Sequence, residues 1–443
     1  MKVSVTNKDI IKLAAPISLA LLIPQINFLT NTAFLGRLGE REMGVNGVSG
    51  VFYLTLAMIG YGLSSGIQVQ MARRAGEGDT QGLARLFTNG IMLSVMFALG
   101  MMMLSLWFAP IIFGFSLHNN SNAILTINYL YIRVWGLPFL MMAQLANAFY
   151  ISTNQSRFLI WGSLGATIVN IFFDYVLIFG NMGFPAMGLE GAAMASIISE
   201  FTLCAIMYGI FYFKRFYMEY PLYDHIRFDF KLSRRTLKVS APLIVQYLFS
   251  IGGWQIFFIF VEHLGDKELA TSQILRSVFG IMGIGTWAFA ATTNTMVSNV
   301  IGQGKQREVL YLVGKIAKLS FIFSGIICVI LFLFSDAFLA LYRNDPELVA
   351  FARPSLYVII LASMIMSLST IVFNGVVGTG KTVVNLSIEI TCVFSYLIYC
   401  YIFIERMHSP LYIAWGSEFV YWTSLLLIGL WYLRSNKWKG NKI

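Results

Sequence analysis

Twelve apolar stretches, each uncharged or nearly so, recur along the chain at approximately 10-36, 47-72, 86-115, 121-150, 157-180, 189-213, 238-262, 272-300, 312-340, 347-377, 382-404 and 410-433. A helix needs ~20 apolar residues to cross the ~30 Å hydrocarbon layer of a bilayer. In lipid, only helices and closed barrels satisfy their own backbone polar groups. Runs of this length predict an all-α polytopic membrane protein with twelve transmembrane helices. Composition agrees, because 57% of residues are hydrophobic and 12% charged, whereas soluble domains carry ~25% charge.

An even number of spans puts both termini on one side. Of the Lys and Arg residues at loops and termini, 21 fall on the side of the termini and six on the other, so termini and central loop are expected to be cytoplasmic. The net charge of +10 then reflects topology and anionic lipid, not nucleic acid. Lys2, Lys8 and Lys12 precede an apolar run as in a signal peptide. No clear small-residue cleavage site follows, and the segment has a counterpart in mid-chain, so it is read as the first span. Cys204, Cys328, Cys392 and Cys400 lie inside spans without metal-ligand spacing and read as apolar packing residues.

The chain repeats itself. Shifted by 226 residues, Lys12, Ala15 and Pro16 fall on Lys238, Ala241 and Pro242, and Leu38, Gly39 and Glu42 on Leu264, Gly265 and Glu268. Gly76 and Gly78 likewise fall on Gly302 and Gly304. Later the offset shortens to 218, where Ser199-Glu200-Phe201 meets Ser417-Glu418-Phe419. The expected organisation is an N-terminal six-helix lobe (1-213), a basic cytoplasmic linker (214-238) and a C-terminal six-helix lobe (239-443). Six spans per repeat give both lobes one orientation, hence a pseudo-twofold along the membrane normal, an arrangement common in transporters that rock two lobes about a midplane site.

Within the fifth span, Ser163, Thr167, Asn170 and Asp174 are spaced four, three and four apart, which on a helix makes one polar stripe. Asp174 is the only ionisable group from Phe158 to Gly183. A carboxylate inside a membrane costs at least ~2.5 kcal/mol without partners. Two readings stay open: Asp174 hydrogen-bonds a neighbouring helix as glue, or it holds and releases a cation and so couples an ion gradient to movement. At the 226 offset the stripe meets Tyr396 and Cys400, which assigns an ion site to the N-terminal lobe alone.

Gly375 to Thr382 satisfies the phosphate-loop pattern of Gly, four residues and Gly-Lys-Thr. It falls between two apolar runs with no soluble α/β domain around it, so a turn is expected there, not a nucleotide site. Glu200 and Glu418 occupy matching positions in spans 6 and 12 and are candidates to line a substrate cavity that favours cations. Arg276 in span 8 is expected to face the same cavity or pair with a glutamate; Glu389 lies about one turn inside span 11. Pro16 and Pro24 make span 1 a candidate moving part.

The chain resembles the multidrug and toxic compound extrusion (MATE) family over essentially its whole length. The resemblance rests on Ala15-Pro16 opening span 1, Asn31-Thr-Ala-Phe-Leu-Gly-Arg-Leu-Gly39 closing it, and Ala72-Arg-Arg-Ala-Gly-Glu-Gly78 after span 2. It rests also on Asn170-x-x-x-Asp174 in span 5 and Gly191-Ala-Ala-Met-Ala-Ser196 opening span 6. It implies a secondary antiporter, not an enzyme, that exports organic and often cationic compounds in exchange for H+ or Na+, with no further cofactor. A lipid-linked precursor flippase of the same superfamily is the alternative. The family's cation site in this lobe maps onto Asn170, Asp174 and, for its hydroxyl, Ser196. The span 1 position that is usually Asp is Asn31 here, so a Na+ site would use Asn31, Asn170, Asp174 and Ser196 with one carboxylate fewer. The NorM-like branch uses acids in spans 7 and 10; Ala241 to Val261 and Leu356 to Val377 contain none, which places the chain nearer the DinF-like branch. A monomer in a bacterial inner membrane, working on a small organic substrate, is the expected setting.

Overall fold

The computed structural model describes residues 2–116, 119–222, 228–342 and 346–440. Arg227, Arg343 and Lys442, which enter the count of basic residues, lie outside the described residues. Among the described residues twelve helices are long and apolar enough to cross a membrane: α1 Asn7–Leu38, α2 Arg41–Glu77, α3 Thr80–Phe115, α4 Asn120–Ser152, α5 Arg157–Phe179 and α6 Gly188–Phe213, then α7 Phe230–Glu262, α8 Asp266–Gly302, α9 Gln306–Leu333, α10 Pro346–Gly378, α11 Thr382–Arg406 and α12 Leu411–Arg434.

Several helices overrun the apolar runs that announce them. At 37 residues, α2 and α8 are each about 55 Å long and so extend beyond the hydrocarbon layer. Helix α4 is interrupted by a 3-10 turn at Val134–Gly136. The cause is local: Pro138 has no N–H to give the Val134 carbonyl, and Gly136 supplies a weak helix former beside it. Helix α11 closes in a π-helical segment, Tyr401–Arg406.

The internal repeat is written in backbone angles. Gly39 and Gly265, 226 residues apart, enter α2 and α8 at φ 154° and 144°. Gly78 and Gly304, at the same offset, take φ 79° and 78° after those helices. Asn154 (φ 61°) and Gly380 (φ 81°) repeat the pattern before α5 and α11. Side chains rarely adopt such angles, so matching turns need matching glycines, or the tolerant Asn, at these three places.

The chain divides into two compact units, one of residues 15–244 and the other of residues 2–14 with 245–443. In the first, residues 230–244 at the start of α7 pack on α2 and α3. A Cβ on Gly66 would meet the Ser240 backbone at 2.6 Å, and Ser240 Oγ donates to the Leu63 carbonyl at 3.2 Å. Asn89 Nδ2 donates to Ser233 Oγ at 2.9 Å. In the second unit, residues 2–14 are tied to α8 and α9: Val3 N donates to Asn299 Oδ1 at 3.2 Å and Lys315 Nζ to the Val5 carbonyl at 3.0 Å. The second unit's core gathers Phe257, Phe258, Met282, Leu356, Tyr396 and Trp415.

Candidate cation and substrate sites

In the first unit, α5 and α6 approach closely because a glycine on each leaves room for the other helix. A Cβ on Gly165 would meet Ile206 at 2.2 Å, and one on Gly191 the Leu177 carbonyl oxygen at 2.6 Å. Ser199 Oγ ties the pair by donating to the Ala166 carbonyl at 2.9 Å. Trp161, Ile168, Phe172 and Tyr175 form the exposed face of α5, while Thr167, Asn170 and Asp174 are buried on the other. The polar stripe therefore points into protein and not into lipid.

Asp174 is fully buried at the end of a short hydrogen-bonded chain from α1. Asn27 Nδ2 donates to Asn170 Oδ1 at 2.5 Å, and Asn170 Nδ2 donates to Asp174 Oδ2 at 3.2 Å. Asn170 thus accepts from Asn27 through its oxygen and passes its own N–H onward to the carboxylate. On α1 and α5, three buried acceptors are left without a hydrogen-bond partner among the described residues: Asp174 Oδ1, Asn27 Oδ1 and Asn31 Oδ1. Buried acceptors are normally satisfied, since leaving one unpaired costs about 1–3 kcal/mol. An all-oxygen set with a single carboxylate suits a hard monovalent cation or a proton.

Of the residues that sequence reasoning proposed for this site, Asn170 and Asp174 are hydrogen-bonded to each other, and Asn31, one turn after Asn27 on α1, has a buried oxygen without a partner among the described residues. Ser196 lies half-buried on α6 and outside the Asn27–Asn170–Asp174 chain. Asn27 was missed. Its signal was present, because Asn27 and Asn31 are amides one turn apart within the first apolar span.

Glu200 on α6 is engaged. Arg133 on α4 donates from Nη1 to Oε2 at 2.8 Å and from Nη2 to Oε1 at 2.6 Å, a bidentate fork. Tyr53 OH on α2 donates toward both carboxylate oxygens at 3.0 and 2.9 Å, and the guanidinium lies 3.7 Å above the Tyr53 ring. The interrupted turn of α4 makes room for this cluster, since a Cβ on Gly136 would come within 2.0 Å of Glu200 Oε2.

The second unit holds a cavity of about 200 Å³ walled by Trp254, Phe279, Trp287, Tyr396, Tyr421 and Trp422, with Glu418 and Ser250 in its lining. Glu418 is buried, and its Oε2 accepts from Trp422 Nε1 at 2.8 Å. Arg276 stacks 5.3 Å from the Trp254 ring centre and 5.5 Å from that of Phe258. The phosphate-loop pattern at Gly375–Thr382 joins the end of α10 to the start of α11. It follows a helix and not a buried strand, so its amides do not form a phosphate cradle.

The sequence model of the family described as MatE matches residues 16–176 and, a second time, residues 242–402. The chain belongs to the MatE family. The two matches lie 226 residues apart, the offset of the internal repeat. Membership makes it a multi-pass membrane transporter and not an enzyme. A probable multidrug resistance protein NorM of Thermotoga maritima is 22% identical over 441 residues, covering 98% of this chain and 94% of that protein. Another from Synechocystis sp. is 24% identical over 299 residues, 67% of this chain and 64% of that protein. Among solved structures, a MATE transporter in its straight conformation superposes with a TM-score of 0.89 at 16% identity, over 98% of this chain and 97% of that one. An outward-facing multidrug resistance MATE family transporter of the MOP superfamily gives a TM-score of 0.88 at 17% identity, over 98% and 97%. These structures share the two-lobed all-helical fold.

Proposed function

We propose that this transporter is a secondary antiporter that exports organic, often cationic compounds in exchange for H+ or Na+, with Asp174 as the coupling acid. The observation that carries this reading is the buried Asp174 carboxylate, held by Asn170 through one oxygen and unpaired at the other. A carboxylate in that position is stable only when a cation or a proton neutralises it, so its charge state tracks the ion gradient. Asn170 donates its N–H to it, Asn27 and Asn31 on α1 carry the unpaired amide oxygens we assign to the same cation, and Ser196 remains the hydroxyl expected from the family pattern. In the second unit, the aromatic cavity with Glu418 in its wall suits an organic cation, because ring faces and a carboxylate both attract positive charge. Glu200 is less suited, since Arg133 already matches its charge, and Arg276 steadies the cavity wall through Trp254.

Export of drugs fits the multidrug resistance proteins to which the chain is similar. We place the protein as a monomer in a bacterial inner membrane with both termini cytoplasmic, following its basic-residue asymmetry. The test is dye efflux from cells expressing wild type or Asp174→Asn at equal levels, energised with and without a proton gradient and at high and low Na+. Loss of efflux in the variant, with wild-type efflux following one gradient, is the expected result and names the ion. Unimpaired efflux by Asp174→Asn returns that residue to helix glue.

A further inference from the structure

The second unit contains a buried acid that the reading above does not use. Glu389 on α11 is 1% exposed, and its Oε1 accepts from Ser250 Oγ on α7 and from Tyr421 OH on α12, the latter at 2.8 Å. Its other oxygen, Oε2, is buried without a hydrogen-bond partner among the described residues. One turn earlier on the same face, the fully buried Asn385 donates its Nδ2 to Gln246 Oε1 at 2.6 Å and leaves its own Oδ1 unpaired. The arrangement repeats the logic of Asn170 and Asp174: an amide and a carboxylate four residues apart, an amide partner on the first helix of the unit, and unpaired buried oxygens. It lies nearer the start of its helix, because Glu389 matches Ser163 and not Asp174 at the 226 offset.

We propose that Asn385 and Glu389 form a second monovalent-cation site, with Gln246 and Ser250 as supporting oxygens, linked to the aromatic cavity by the hydroxyls of Ser250 and Tyr421. Residues four apart on a helix have Cβ atoms ~5–6 Å from each other, so one small cation can meet both unpaired oxygens. Ser250 and Tyr421 line the cavity and also donate to Glu389. Neutralising Glu389 weakens both hydrogen bonds and frees these hydroxyls to reorient toward a cavity occupant, while emptying the site draws them back. The titratable groups around Glu389 are Tyr421 and Glu418 on α12 and Cys392 on its own helix. From α7 the neighbours are the neutral Gln246 and Ser250, and α10 carries no charged residue from Pro354 to Gly378. With no Lys or Arg paired to Glu389 or Glu418 among the described residues, the positive charge that balances Glu389 is exchangeable. Na+ and H+ both satisfy this chemistry, and the experiment separates them.

Only the link to the cavity rests on the proposed substrate reading, so the test uses no organic substrate. Purified protein in detergent carries Asp174→Asn to silence the first site, and its unfolding temperature is followed against Na+ at constant ionic strength and, without Na+, against pH from 6 to 9. The expected result is a saturable rise with Na+, or a fall as pH rises if the occupant is a proton. That response disappears on adding Glu389→Gln and moves its midpoint at least tenfold, one pH unit for protons, on adding Asn385→Ala. A response that Glu389→Gln leaves unchanged, or no response of either kind in the Asp174→Asn protein, overturns the proposal. If Glu389→Gln does not fold, Asn385→Ala decides alone, and an unmoved midpoint overturns it.

Discussion

Removing Arg133 alone should damage the first unit more than removing Arg133 and Glu200 together. The wild-type Glu200 carboxylate accepts two guanidinium hydrogen bonds and one hydroxyl shared between its oxygens, and both charged side chains are about one-tenth exposed, at 12% and 11%. Among the described residues, Arg133→Met leaves an ionised carboxylate with Tyr53 as its remaining donor, an uncompensated buried charge worth about 3–5 kcal/mol. Glu200→Gln keeps one acceptor oxygen for the guanidinium and should fall at the lower end of that range. Tyr53→Phe removes one hydrogen bond to a charged group, about 1.5–3 kcal/mol. In Arg133→Met/Glu200→Met no charge is left behind and what is lost is the hydrogen bonding of the Tyr53 and Tyr129 hydroxyls to the pair, so the loss should be about 1–2 kcal/mol. For a unit of this size each kcal/mol shifts the melting temperature by ~2–4 °C, which predicts a fall of roughly 10 °C for Arg133→Met and about half that or less for the double variant. Heating detergent-solubilised protein and measuring the monodisperse fraction by gel filtration gives these values. Losses that simply add in the double variant would show that the pair is not the coupled buried bridge described here.

Two further outcomes follow from close contacts. Gly136→Ala puts a methyl group 2.0 Å from Glu200 Oε2 and 2.8 Å from Arg133 Nη1, so it should force the bridge apart and cost about 1–3 kcal/mol; the same melting assay reads it, and an unchanged midpoint refutes the tight packing. Asn27→Val removes the donor to Asn170, a hydrogen bond worth about 1 kcal/mol. It should raise the cation concentration for half-maximal dye efflux several-fold at unchanged expression, whereas equal cation dependence would detach Asn27 from the site.

The membrane fold was legible along the chain because its causes are local. Helix length follows from the thickness of the hydrocarbon layer, and the repeat shows in glycines whose φ angles only glycine adopts readily, as at Gly78 and Gly304. The inward face of α5 was legible too, since Asn170 and Asp174 share one side of a helix whose other side carries Trp161, Ile168 and Phe172. The partners of each buried charge were not. Matching positions at the 218 offset made Glu200 and Glu418 look alike, yet one is locked to Arg133 from 67 residues away and the other lines an aromatic cavity. Asn27 reaches Asn170 across 143 residues, and Ser250 reaches Glu389 across 139. Periodicity reports which face of a helix is buried, because the helical repeat is a property of the backbone. Which neighbour that face meets depends on how helices pack, and packing is decided by side-chain volumes and glycine gaps on other helices, such as Gly136 and Gly191, that no local pattern encodes.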